Sequence, residues 1–215
     1  MNTNPDSNSN STMIVDDMKE NRKAARKKRS KLSIIIEVIL YLCVFVFCIY
    51  IVPTYILQRT VVSGESMEET LHNGESLLVN KLSYRFHDPE RYDIIVFYPK
   101  GRDIEEYYVK RIYGLPGETI YIKDNSVFIN GKKIDDPYAY GAMDEDEIEL
   151  GTADKPYTLK EDEYYVLGDH RSVSLDSRYL PSGDSEDDAP GPVKRENIAG
   201  KVFLRIWPLS QFGKP

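Results

Sequence analysis

Two residues, a serine and a lysine, have sequence surroundings that could make them reactive. Ser66 stands two positions after Gly64, so a glycine turn could expose its hydroxyl and aim its backbone N–H at a developing oxyanion. Lys110 lies in an apolar and aromatic run, where strand alternation puts its side chain on one face with Tyr108 and Ile112. Burial lowers the pKa of a lysine, and a neutral lysine can act as a general base. Each residue alone also fits an ordinary turn or a surface lysine.

Two further segments contain residues that could support such a pair. Residues 167–178 carry hydroxyls that could orient an amine, from Ser172, Ser174 and Ser177. In the same segment, Asp176 and Arg178 could form a bidentate ion pair that fixes the loop. Residues 91–99 form an apolar run whose simplest interpretation is a core strand.

The sequence offers little for metal or cofactor chemistry. Its three histidines, His72, His87 and His170, show no metal-ligand spacing. Gly114 and Gly117 enclose a proline where a phosphate-binding loop would need backbone amides. The sequence therefore predicts no metal site and no cofactor, and the catalytic options narrow to serine, lysine and carboxylates.

The apolar segment at residues 32–57 predicts a single transmembrane helix. Glu37 is the only charged residue in its 26 positions. At about 1.5 Å per residue, such a helix reaches about 39 Å, which exceeds a hydrocarbon core of about 30 Å. A cleavable signal peptide has a shorter apolar region followed by a small-x-small site. The predicted span excludes a soluble cytosolic enzyme.

Charge is divided unevenly along the chain and sets the expected orientation in the cell membrane. The net charge is -7. Residues 1–31 are expected to be a disordered tail and carry eight basic residues (Lys and Arg) and four acidic ones (Asp and Glu). Residues 32–215 carry 20 basic and 31 acidic residues. Basic residues just before a span stay in the cytoplasm, so everything after Gln58 should be extracytoplasmic. The acidic exported part would be repelled by phosphate, which excludes a simple basic-patch nucleic-acid binder.

Residues 58–215 are predicted to form a mostly β domain, because β-branched and aromatic runs are punctuated by Gly, Pro and Asn. Eight strands are predicted, at residues 60–63, 77–80, 94–98, 107–113, 119–123, 126–130, 164–167 and 202–207. The acidic stretch at about 135–163 is expected to be a peripheral inserted subdomain, and residues 182–191 a surface loop. Cys43 and Cys48 both lie in the span, so the exported domain must be stabilised by an apolar core.

Taken in order, four segments resemble motifs of the bacterial type I signal peptidases, which are membrane-anchored serine proteases with a Ser/Lys dyad. The family patterns are S-M-x-P-T-L, G-D-I-[IV]-V-F, K-R-x-x-G-x-P-G-[DE] and G-D-N-x-x-x-S-x-D-S-R. They correspond to residues 66–71, 92–97, 110–118 and 168–178. The resemblance covers the chain from the basic tail to about Lys201. It implies a β-sheet fold similar to that of the self-cleaving repressors of the SOS response.

The resemblance implies a role for each matching residue. Ser66 would be the nucleophile and Lys110 the general base, which takes the Ser66 proton and returns it to the leaving amine. Ser174 would help to orient the lysine. Asp176 and Arg178 would hold the loop that carries Ser174.

The same resemblance implies the oxyanion donors and the substrate. The backbone N–H of Ser66 would be one oxyanion donor, and Gly64 stands where some relatives carry a second, hydroxyl donor. Met67 would line or support the substrate cleft. The substrates would be exported preproteins, cut at a small-x-small site just outside the membrane. The lipid bilayer is the other expected partner, and the oligomeric state is left open.

Four features depart from the family patterns. Glu69 replaces a proline, Tyr92 a glycine and His170 an asparagine, and the loop at 180–190 is enlarged. None removes a dyad residue, but they leave open altered selectivity or weak activity. A protonated lysine would also be favoured by three acidic residues, if these faced the site: Glu65, Glu68 and Glu69.

Three alternatives remain beside a signal peptidase. The self-cleaving repressors share the Gly-x-Ser-Met turn and the dyad, but they carry a DNA-binding helix-turn-helix where this chain has a basic tail and a span. A Ser-His-Asp hydrolase is disfavoured because Lys110 and Arg111 stand where relatives of that kind place the histidine. A catalytically silent binding module, recruited for surface-protein or pilus assembly, is supported only by Glu69 and Tyr92.

Overall fold

The structure is a computed structural model that describes residues 31–102, 106–182 and 188–215. The chain divides into two units, the first ending at Ile49 and the second comprising Tyr50–Pro215. Residues 1–30 of the predicted tail lie outside the described residues, as do residues 183–187 of the predicted surface loop.

The apolar segment near the N-terminus is helical. Its regular part, α1, is Lys31–Val46, and Phe47–Ile56 follows in wider π-helical turns that contain Pro53. A proline removes one N–H donor and clashes with the preceding turn of an α-helix, which is a physical reason for the wider winding. Residues Leu32–Ile56 have a mean hydropathy of 2.9 and are not buried. The segment therefore has the length and composition of a membrane-crossing helix.

The second unit consists mainly of antiparallel strands. They are β1 Leu57–Val61, β2 Ser76–Asn80, β3 Ile94–Phe97, β4 Tyr108–Gly114, β5 Thr119–Lys123, β6 Ser126–Ile129, β7 Lys132–Lys133, β8 Tyr157–Thr158, β9 Glu163–Leu167, β10 Val193–Lys194 and β11 Ile198–Trp207. The larger sheet has the order β1-β2-β11-β3-β4-β9-β10, and the smaller sheet β7-β6-β5-β8. A four-residue helix, α2 (Ser83–Phe86), follows β2.

The larger sheet has an apolar core on both faces. Every residue of β3 is buried, with Ile94 and Val96 in one cluster and Ile95 and Phe97 in another. A strand covered on both faces requires such a continuous apolar run rather than alternation. The first cluster also contains Met67, so the turn that carries Ser66 packs directly against the sheet.

The smaller sheet is organised around the hairpin predicted at β5 and β6. Asp124 and Asn125 form its two-residue turn with φ values of 50° and 56°. Turns with positive φ at both central residues match the twist of paired strands. Ile120 and Val127 point into a core that they share with residues of β4 and β9. This core joins the smaller sheet to the strand that carries Lys110.

The acidic range 135–163, predicted to be a peripheral insertion, contributes to that core. Three of its apolar side chains are buried there: Met143, Ile148 and Leu159. Leu159 packs so closely that a Cβ built on Gly114 would lie 2.5 Å from its Cδ1 atom. Residues Tyr157–Thr158 also add β8 to the smaller sheet. The range therefore helps to close the domain, while most of its acidic side chains face solvent.

Each of the eight predicted strands overlaps an observed strand, so the prediction of a mostly β domain is confirmed. The largest boundary differences are at β1 and β11, which begin at Leu57 and Ile198 rather than at residues 60 and 202. Three further strands were not predicted: β7, β8 and β10. Each has two residues, which is too short to show a period of two.

Candidate active site

Ser66 lies in the connection between β1 and β2, in a turn that is fixed on both sides. Gly64 adopts a φ of 92°, which favours glycine, and its N–H donates a hydrogen bond to Asn73 Oδ1 at 3.2 Å. The carbonyl oxygen of Ser66 accepts a hydrogen bond from the backbone N–H of His170 at 3.1 Å. Met67, only 2% exposed, anchors the turn in the core. These contacts fix the backbone that presents the Ser66 hydroxyl.

Lys110 reaches this hydroxyl from β4. Its Nζ atom donates a hydrogen bond to Ser66 Oγ at 2.7 Å. The same Nζ lies 5.6 Å from the ring centroid of Tyr108, as expected for residues on one face of a strand. The distance between the two reactive atoms is within the range for direct proton transfer.

Burial changes the acid-base behaviour of Lys110. Only 5% of the residue is exposed, and this desolvation lowers the pKa of Lys110 to about 8. Asp176 and Asp169 raise this pKa, whereas Arg178 lowers it, and desolvation is the largest effect. Glu65 and Glu69, which could have favoured a charged lysine, are exposed. With this pKa, about a tenth of Lys110 is neutral at pH 7 and can accept a proton, whereas an ordinary lysine is almost entirely charged.

The loop after β9 contains the bidentate pair that the sequence suggested. Arg178 donates from Nε to Asp176 Oδ1 at 2.8 Å and from Nη2 to Asp176 Oδ2 at 3.0 Å. Arg178 Nη2 also donates to the carbonyl oxygens of Arg171 and Ser174. Asp176 Oδ2 accepts from the N–H of Gly168 at 3.0 Å. The pair thus connects both ends of the loop and is completely buried.

Ser174 is buried within this loop, close to the serine turn. A Cβ built on Gly168 would overlap both the Ser174 hydroxyl and the carbonyl oxygen of Ser66, so Gly168 is the point where the two segments meet. Ser174 Oγ has no hydrogen-bond partner among the residues that the structure describes. A role of Ser174 in orienting Lys110 stays a prediction.

A second buried ion pair was not predicted from the sequence. Arg111 donates to Asp169 from Nε at 2.9 Å and from Nη2 at 2.6 Å, and the hydroxyl of Thr70 donates to Asp169 Oδ2 at 2.6 Å. This network joins the strand of Lys110, the loop of Ser174 and the turn of Ser66. Its members all fall within the quoted motifs, but 58 positions separate Arg111 from Asp169, and no local pattern indicates that they pair.

The departures from the family patterns have identifiable surroundings. Tyr92, which replaces a glycine, has a φ of 69°, a conformation that glycine adopts without strain. Its ring packs against Tyr113 and Tyr138, each at 5.5 Å between ring centroids. The imidazole of His170 packs against Tyr140 at 4.7 Å. The structure thus shows aromatic packing at two of the altered positions.

A cleft of about 730 Å³ leads to Ser66 and Lys110. It is lined by residues 60–67, by residues 106–110, and by Val173 and Leu175 of the loop after β9. Within the described residues, no group of three or more His, Cys, Asp or Glu side chains is placed to hold a metal ion. The volume lies in the range of about 300 to 1,000 Å³ that is usual for ligand-binding clefts.

Comparison with known proteins gives consistent matches to one family. The family described as "Signal peptidase, peptidase S26" matches residues 35–207. Signal peptidase I of Bacillus caldolyticus is 38% identical over 74% of this chain and 84% of its own length. Signal peptidase I P of Bacillus subtilis subsp. natto is 34% identical over 86% of this chain and 96% of its own length. A solved signal peptidase I from Enterococcus faecalis is 29% identical, with a TM-score of 0.39, and covers 54% of this chain and 97% of its own. The chain therefore belongs to the S26 family of signal peptidases.

Proposed function

We propose that Ser66 and Lys110 are the catalytic dyad with which this serine endopeptidase removes signal peptides from exported preproteins. The observation that carries the proposal is the 2.7 Å hydrogen bond between Lys110 Nζ and Ser66 Oγ, made by a lysine that is almost fully buried. Membership of the signal peptidase family supports the substrate and the reaction. A silent binding module would not need a desolvated lysine in contact with a serine hydroxyl.

The reaction begins when neutral Lys110 accepts the proton of Ser66 as Oγ attacks the carbonyl carbon of the scissile peptide bond. The backbone N–H of Ser66 stabilises the oxyanion that forms. Protonated Lys110 then gives its proton to the leaving amine, which departs as the new N-terminus of the mature protein. Water then gives a proton to Lys110 and attacks the acyl carbon. The ester bond to Ser66 Oγ breaks, Lys110 returns the proton to Oγ, and the signal peptide leaves with a new C-terminal carboxylate. Asp176 and Arg178 act indirectly, by holding the loop that packs against the dyad.

The cleft fits an extended peptide. β1 is one of the two edge strands of the larger sheet, and β9 pairs with β4 only from Arg111 onwards. Backbone groups near the cleft can therefore pair with a peptide strand. Val62, Met67 and Val109 provide apolar surface in the cleft. Small side chains at the third and first positions before the cut would fit against this surface.

The proposed location follows from the helix and the charge of the chain. We place residues 1–31 in the cytoplasm, a span at residues 32–57 and the peptidase domain, residues 58–215, outside the cell membrane. The lipid bilayer is then a partner of the span. On the domain, Val61 and Trp207 are both more than half exposed and both pair with Ser76, so they lie in one row of the sheet. Two exposed apolar side chains on either side of Ser76, one of them a tryptophan, suit contact with a membrane interface.

Removal of either dyad residue tests the proposed catalytic mechanism. Ser66→Ala and Lys110→Ala should each lower cleavage of a preprotein by the full-length, detergent-solubilised enzyme by at least about a thousandfold. The matched controls are Ser210→Ala and Lys123→Ala, because both side chains are exposed and lie outside the cleft. Cleavage that persists in Ser66→Ala would refute the mechanism. A wild-type protein that cleaves nothing under varied lipid and pH would instead favour the silent module.

A further inference from the structure

The loop that follows β9 shows an unusual pattern of burial. Its polar residues Ser174 and Asp176 are 3% and 0% exposed, whereas the apolar residues beside them, Val173 and Leu175, are 52% and 42% exposed. A single exposed apolar side chain needs no explanation. Here, however, both apolar residues line the cleft that leads to Ser66 and Lys110. Their position beside the dyad suggests contact with a ligand.

The strand arrangement shows which part of a substrate can reach these two residues. Two segments that line the cleft end in sequence at the dyad, residues 60–67 beside Ser66 and residues 106–110 at Lys110. From Arg111 onwards, strand β9 lies beside β4 and pairs with it. The last residue of β9, Leu167, pairs with Arg111. A peptide lying along β4 up to Lys110 therefore cannot continue in the same direction. Beyond the dyad it has to pass over the loop that begins at Gly168.

We infer that Val173 and Leu175 form a binding site for the first residues of the mature protein, those that follow the scissile bond. The inference rests on the proposed function, in which the signal peptide occupies the part of the cleft lined by residues 60–67 and 106–110 before the cut. The ligand is a short extended segment with aliphatic side chains in its first two positions. Such side chains would cover Val173 and Leu175 and remove their apolar surface from water.

The loop is rigid enough to serve as a binding surface. Arg178 donates hydrogen bonds to the carbonyl oxygens of Arg171 and Ser174, at 2.8 and 2.9 Å, and its ion pair with Asp176 is buried. These contacts hold the backbone on both sides of Val173. Little ordering is required when a peptide binds, which favours affinity.

Paired peptides test this site. Two soluble peptides share one signal-peptide sequence before the cut and carry either Val-Leu or Gly-Gly directly after it. The full-length enzyme in detergent should cleave the Val-Leu peptide with a kcat/KM about tenfold higher, mainly through a lower KM. In Val173→Ser and Leu175→Ser this ratio should fall towards one. Leu180→Ser is the matched control, because Leu180 is 49% exposed and does not line the cleft.

The possible results separate this inference from the proposed function. A wild-type enzyme with equal kcat/KM for the two peptides, or variants that keep the tenfold ratio, would overturn the inference and leave the peptidase activity established. The variants could instead match wild type on soluble peptides but cleave a preprotein in anionic vesicles more slowly, whatever residues follow the cut. This result would show that Val173 and Leu175 contact the bilayer, and it would also overturn the inference. Failure of the wild-type enzyme to cleave either peptide would refute the proposed function itself.

Discussion

If Lys110 is the general base, as we propose, it must lose its proton before it can take one from Ser66, so pH should control the reaction through this single residue. Burial disfavours the charged form and lowers the pKa of Lys110 to about 8. Below this pH most of the enzyme holds a protonated lysine, which we expect to be inactive. We expect kcat/KM for a peptide substrate to rise about tenfold per pH unit below the pKa and to level off above about pH 8. A pH profile of the solubilised enzyme measures this dependence.

A permanently charged side chain provides the control for this profile. Lys110→Arg keeps its charge at every accessible pH, so its activity should stay near background throughout. Its thermal unfolding temperature should be measured alongside, to establish that the variant is folded. A wild-type rate that does not change from acidic to alkaline pH would contradict a lysine base.

Tyr92 combines a strained backbone with favourable packing, and the two effects can be separated. Its φ of 69° disfavours any residue with a Cβ, while its ring contacts Tyr113 and Tyr138. Tyr92→Ala and Tyr92→Gly both lose the ring, but only the alanine variant keeps the strain. We expect the glycine variant to be more stable by about 1 kcal/mol, the reverse of the usual order in strands and helices. Thermal unfolding of the two variants tests this, and a more stable alanine variant would contradict it.

At the scale of elements, the ion pair of Arg111 and Asp169 joins three segments that each carry part of the site. Both side chains are nearly fully buried, so Asp169→Ala would leave an uncompensated charge on Arg111. We expect this change to lower the free energy of unfolding by about 3 to 5 kcal/mol. The matched control is Asp88→Ala, which removes the exposed partner of Arg195 and should cost less than about 1 kcal/mol. Denaturant unfolding of both variants provides the comparison, and equal losses would contradict the assignment.

The elements that sequence predicts best are those with a clear local pattern. β5 and β6 alternate apolar and polar residues around a two-residue turn, and both were predicted closely. β3 is an uninterrupted apolar run, so its burial followed from composition. The alternation of β4 also placed Lys110 on the face of Tyr108, where it is observed. For these elements the physical signal is contained within a few neighbouring residues.

Elements whose position depends on distant partners could not be predicted in the same way. Met143, Ile148 and Leu159 are isolated apolar residues in an acidic stretch, and only contacts with distant strands show that they are buried. The approach of Lys110 to Ser66 spans 44 positions, and it was inferred from a family resemblance rather than from local pattern. Pairing over such separations is determined by the whole fold.

At the scale of the whole molecule, the net charge of -7 combines a basic tail with an acidic remainder. In the range 135–163 most acidic side chains are exposed, which agrees with a solvated surface. The buried Glu163 is an exception and is paired, since it accepts hydrogen bonds from Tyr157 and Lys160. The acidity of the domain is therefore mainly a surface property, and we propose that the basic residues before the span have the separate role of setting its orientation.

That role predicts what should happen when the tail loses its charge. Replacing the eight Lys and Arg of residues 1–31 by Gln removes the positive charge that we propose retains the N-terminus in the cytoplasm. It leaves Arg59 and Lys81 as the nearest basic residues. A large share of the molecules, on the order of half, should then insert with the peptidase domain inside the cell. Protease added to intact cells should digest the wild-type domain and leave the inverted fraction protected.

The control replaces three exposed lysines of the domain by Gln, namely Lys123, Lys132 and Lys133, and should leave the orientation unchanged. Protection of the wild-type domain from the protease would contradict the proposed orientation. Complete digestion of the variant with the uncharged tail would show that other features orient the span.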